Sequence, residues 1–144
     1  MIKKGLFSFF ALAVLLAGCN QGTSPEDIAN IAYGWEKAKF DRDYEKQQEF
    51  LYEEGSYEID KNSKKKDSGL KYKDVRLEVF YDEGSEQYYI FADFKNPNGD
   101  NSVKDEIIFR KKDDQWKVDQ DQSTDIDRKE ISEKFEREAC IHCK

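Results

Sequence analysis

Three cysteines and one histidine are the side chains of this 144-residue sequence best suited to covalent or metal chemistry. Cys140, His142 and Cys143 crowd the C-terminal end, and Cys19 stands alone near the start. A redox-active pair wants its cysteine at a helix N-terminus, where the dipole favours thiolate. Here the apolar spacing predicts a helix that ends at the pair, which does the reverse. Cys140, His142 and Cys143 make at most three zinc ligands, and adjacent side chains splay apart. A haem attachment site would need a histidine after the second cysteine, where Lys144 stands. A disulfide, within the tail or to another chain, suits an oxidising compartment. No metal and no cofactor is expected.

Cys19 belongs to a different pattern. Lys3 and Lys4 precede an apolar run over residues 6–16, then come the small Ala17 and Gly18, then Cys19. Charged, greasy and small regions in that order make a secretory signal. The run is about half of the ~20 residues a membrane span needs, so it is read as removed and not as a permanent helix. With Leu16 three positions before the cysteine, the segment resembles a bacterial lipoprotein signal, the lipobox. The resemblance implies a diacylglyceryl thioether on Cys19, cleavage between Gly18 and Cys19, and in many bacteria acylation of the new amino group. Only a thiolate-forming side chain is nucleophilic enough for that thioether near neutral pH. Two or more acyl chains, at roughly 0.8 kcal/mol per buried methylene, hold where one would not. The expectation is a lipid-anchored protein on the extracytoplasmic face of the cell membrane.

Charge narrows the partners. Acids outnumber bases 31 to 24, for a formal charge of −7, and loss of residues 1–18 with their two lysines makes it −9. Nucleic acid binding depends on neutralising phosphates and is excluded on this balance. Overall charge also opposes an anionic bilayer, so the lipid on Cys19 must do the holding. Lys64, Lys65 and Lys66 sit in a polar loop and read as solvated. The 126 residues from Cys19 onward suffice for one domain with a core, after a short tether over residues 19–24.

The elements follow from periodicity. Ser24, Pro25 and Asp27 form a helix start, and Ile28, Ile31, Ala32, Trp35 and Ala38 recur at helical spacing. A second helix is predicted over residues 43–54, burying Tyr44, Gln47, Phe50 and Leu51 and stopped by Gly55. Tyr57 and Ile59 suggest a short strand. From Val75 the period becomes two, through Leu77, Val79, Ile90, Ala92, Phe94, Ile107, Phe109, Trp116 and Val118, with turns at residues 82–85, 96–100 and 112–115. That is an antiparallel meander of about four strands, on whose apolar face the two helices pack. Residues 25–120 thus form an α+β domain. Residues 121–144 are predicted as a C-terminal helical tail, started by Asp127 with Glu130 and striped by Ile131, Phe135 and Ala139. Phe80, Tyr89, Phe91 and Ile108 lie on the opposite sheet face, to be covered by that tail or by a partner.

Two helices and a curved meander ending in residues 114–119, Asp-Gln-Trp-Lys-Val-Asp, resemble the nuclear transport factor two-like, cystatin-like cone family. The resemblance covers about residues 24–120. It implies a pocket between sheet and helices, where enzymes of the family place an Asp or a Tyr–Asp pair beside a carbonyl. Asp93, Asp105, Tyr44 and Tyr57 are the matching nominees; Asp105 also shares the apolar parity of its strand, where burial would raise its pKa. With His142 as the lone histidine, any acid–base chemistry at neutral pH would fall to a perturbed carboxylate. The functional expectation is a binding or interaction module at the bacterial cell surface, with a possible envelope protein partner. The alternatives are a small cone-fold enzyme using a buried carboxylate, or an immunity or exclusion lipoprotein.

Overall fold

Ser24 starts the first helix by reciprocal capping: its hydroxyl accepts from the Asp27 N–H, and the Asp27 carboxylate accepts from the Ser24 N–H at 3.1 Å. The computed structural model describes residues 22–144; the leader, Gly18 and Cys19 lie outside the described residues. Helix α1 spans Pro25–Phe40 and buries Ile28, Ala29, Ala32, Trp35, Glu36 and Ala38. It ends in a hydrogen-bonded reversal: Arg42 N–H donates to Lys39 O, and Asp43 N–H to Ala38 O. Arg42 occupies the left-handed position of that reversal, φ 53°, where glycine is usual.

Helix α2 spans Tyr44–Phe50 and is shorter than its sequence pattern predicts. At Leu51 the chain turns extended, forms a bridge to Val118, and gives the Tyr52 N–H to the Val118 carbonyl. A sheet edge within reach outcompetes another helical turn, and Gly55 sits beyond the helix, in a turn at φ +84°. Phe50 packs over Gly34, where a Cβ would lie 2.8 Å from Phe50 Cζ. The close contact of the two helices therefore requires glycine in the middle of α1, despite its poor helix propensity. Tyr57 and Ile59 form no strand; they lie in a turn-rich segment, with Ile59 76% exposed.

The sheet comprises β1 (Arg76–Asp82), β2 (Gln87–Lys95), β3 (Ser102–Lys112), β4 (Gln115–Val118) and β5 (Arg137–Ile141). Its strand order is β4-β3-β2-β1-β5, with antiparallel pairing throughout. The first four strands form the expected meander; the β3–β4 turn places Asp113 and Asp114 at φ 50° and 62°, as a two-residue hairpin demands. Leu77, Val79, Ile90, Ala92, Ile107, Phe109 and Val118 make one continuous core with the α1 stripe.

The tail differs from its predicted form. Asp127 caps a helix, α3, of only Arg128–Lys134, and the chain then extends at Phe135 and pairs as β5 with β1. Ile131 and Phe135 with Ile126 cover Phe80 and Phe91 on the second sheet face, whereas Ala139 packs on the first. The predicted stripe is thus divided between two faces. The reason is the free edge of β1: its unpaired backbone groups are satisfied by a strand and not by a helix. Cys140, within β5, and Cys143, two residues past its end, are joined as a disulfide with Cα atoms 5.6 Å apart. His142 Nδ1 lies 2.9 Å from Val75 O, and its ring meets Tyr72 edge-on. Among the described residues the fold is α+β, three α-helices and a five-stranded antiparallel sheet.

Candidate functional site

The C-terminal end of α1, the loop over residues 57–63, the β2–β3 turn and the start of β3 enclose an open cleft of about 660 Å³. Lys39, Tyr57, Asp60 and Asp105 line its polar wall, and Phe40, Val103 and Ile59 supply apolar surface. Each side chain has a structural cause for its place. Lys39 and Glu36 are one helical turn apart. Asp105 lies opposite Ala92, on the face that α1 covers. Tyr57 is fixed edge-on against Trp35, ring centroids 5.3 Å apart.

Behind the wall lies a buried ionic group. Glu36 is wholly buried, and neither carboxyl oxygen accepts a hydrogen bond. Lys39 Nζ stands 3.1 Å from its Oε2 as an ion pair, and also donates to Asp105. Burial drives the Glu36 pKa well above the ordinary carboxylate value, more than the Lys39 charge can offset. The neighbouring Asp105 carboxylate pushes the Glu36 pKa in the same upward direction. Burial alone would raise Asp105 too, but the Glu36 hydrogen bond and the Lys39 charge hold it below its usual value. Burial would likewise lower Lys39, and its two acidic neighbours reverse the sign.

Asp60 is almost fully buried and accepts from Gln47 Nε2 at 2.8 Å and from Ser63 Oγ at 3.1 Å. Burial raises the Tyr57 phenol, which feels the charges of Lys39, Asp60, Glu36 and Asp105. The cleft therefore offers a phenol, an ion pair and a carboxylate that are held in place from behind.

Of the four nominees, the structure brings Tyr57 and Asp105 together. Asp93 points to the second sheet face, where Arg128 binds it at 2.8 Å and Arg76 at 3.5 Å. Tyr44 approaches Glu58, 3.4 Å from its carboxylate, and does not line the cleft. Sequence reasoning missed Glu36 and Lys39. The signal was present: Glu36 follows Ala29 by seven and Ala32 by four, on the buried face of α1. The Phe80, Tyr89 and Phe91 face, expected as a partner surface or as tail-covered, has Phe80 and Phe91 buried under α3 and its flanks. Among the described residues no cluster of three metal-ligating side chains occurs, and no helix is long and apolar enough to cross a membrane. Comparison with known protein families, curated proteins and solved structures finds no match to this chain.

Proposed function

We propose that this chain is a lipoprotein anchored through Cys19 on the extracytoplasmic face of a bacterial membrane, and that it binds a small ligand in the cleft beside Lys39, Tyr57 and Asp105. The observation that carries the binding reading is the exposure of Ile59 at this cleft, the one large apolar side chain left mostly in solvent among the described residues. Polar walls beside a bare isoleucine suit a ligand with a polar head and a short apolar body. The competing surface, the second sheet face, is occupied by the protein's own α3. The cone-type architecture of the nuclear transport factor two-like family fits two helices over a meander with a pocket at one end, and belongs to this proposal.

Native mass spectrometry of the mature protein, released from membranes in mild detergent, tests both parts. Expected are diacylglyceryl on Cys19 and a retained small molecule that is lost in Ile59→Glu. An unmodified Cys19 removes the anchor; wild-type and variant proteins with the same empty mass remove the ligand.

One observation favours a second reading, a small enzyme: a wholly buried carboxyl with unpartnered oxygens, its pKa raised by burial, stands behind a second carboxylate and a phenol, a set of groups that can move a proton. Glu36 itself is sealed from the cleft, so Asp105 would be the group that meets substrate.

A further inference from the structure

The chain enters the fold at Thr23, and Thr23 is held: its Oγ1 accepts from Trp116 Nε1 at 3.1 Å. Cys19 precedes Thr23 by four residues, which span at most about 14 Å. A lipid on Cys19 therefore keeps Trp116 and its β3–β4 hairpin within that reach of the bilayer surface. The cleft is at the other end. Helix α1 separates Ser24 from Arg42 by about 24 Å of rise, and β3 runs some 30 Å from Val103 to the hairpin.

The β3–β4 hairpin itself carries a small net positive charge, three lysines against two aspartates, although the whole molecule is acidic. Lys112 Nζ donates to the Tyr52 carbonyl and Lys117 Nζ to the Glu49 carbonyl, while Lys111 Nζ lies over the Trp116 ring. None of these three lysines forms an ion pair among the described residues, so their charges are uncompensated except by Asp113 and Asp114 of the turn. Lys46 nearby is matched by Glu49. The β1–β2 turn at the same end is anionic, with Asp82, Glu83 and Glu86. An anionic headgroup layer attracts the first hairpin and repels the second. Trp116 has the half-buried, hydrogen-bonded indole that suits a membrane interface.

We infer that the β3–β4 hairpin rests on the phospholipid headgroup layer and that the cleft is held away from the bilayer, open to the outside. This rests on the lipid anchor at Cys19. The test uses the mature lipidated protein on vesicles of phosphatidylcholine and phosphatidylglycerol, with and without bromine near the top of the acyl chains. Trp35 is buried in the core, so brominated lipid should quench Trp116 emission in the wild type, and Trp116→Phe should lose that quenching. Ile59→Trp in the Trp116→Phe background should add emission that bromine leaves untouched. Vesicle-bound protein with unquenched Trp116, or with a quenched tryptophan at position 59, overturns the orientation while the anchor stands. Protein that carries no lipid on Cys19 and stays in the supernatant overturns the anchor and the orientation with it.

Discussion

Glu36 is the residue whose chemistry departs most from its type. Folding raises its pKa, so the native state holds a proton that the unfolded chain releases above the ordinary glutamate value. Its stabilisation is fully present below that value and is lost as pH rises toward the folded pKa. Asp105 acts in the opposite sense: its lowered pKa gives stability above the ordinary aspartate value, lost as pH falls through the folded one. Glu36→Gln keeps the side-chain shape and removes the titration. Urea denaturation at a series of pH values should show wild-type stability declining above about pH 5, by at most about 1.4 kcal/mol per pH unit. The variant should show a flatter profile there. Equal slopes would mean that Glu36 is charged in the native state. Arg42 poses a second residue-scale contrast. In its left-handed position glycine would relieve about 1 kcal/mol, so Arg42→Gly should raise the melting temperature. Because Arg42 lines the cleft, the same change should weaken the retention of any ligand found there.

At the scale of elements, α3 shows how little helix is needed when tertiary contacts hold it. Seven residues cannot sustain a helix alone. Asp127 caps it, and Ile131 packs on Phe80 and Phe91. Arg128 fixes its start to the sheet, pairing with Asp93 and Glu106 and donating to the Asp105 carbonyl at 3.2 Å. Ile131→Ala should cost about 2 kcal/mol, at the low end for a buried isoleucine because the site lies near the surface. Amide exchange should report the consequence: protection falls throughout α3 and changes little in β2 and β3. Loss of protection spread evenly over the sheet would show instead that α3 folds as one unit with it.

For the whole molecule, the decisive feature is that residues 121–144 complete both the sheet and the second face. Without them β1 becomes an edge with bare backbone groups, and Phe80 and Phe91 meet water. A chain ending at residue 120 should therefore aggregate or melt without a cooperative transition, as scanning calorimetry would show. A sharp transition close to that of the full chain would mean that residues 25–120 fold alone.

The primary sequence determined the helix caps, the alternation of each strand, the order of the meander and the inward face, because each depends on side chains a few residues apart. Capping by Ser24 and Asp127, and the parity of Val75 through Val118, are local facts that packing left unchanged. What required the tertiary structure was any choice that depended on a distant partner. Residues 137–141 became a strand because β1 had a free edge, and α2 stopped at Phe50 because Val118 could bond the next residues. Strand parity already set Asp105 on the inward face and Asp93 on the other, but only the packing of α1 and α3 on those faces gave one Lys39 and the other Arg128 as partner. The raised pKa of Glu36 has the same origin: burial raises a carboxyl pKa only where the surrounding chain excludes water, and that exclusion is made by the packing of the fold.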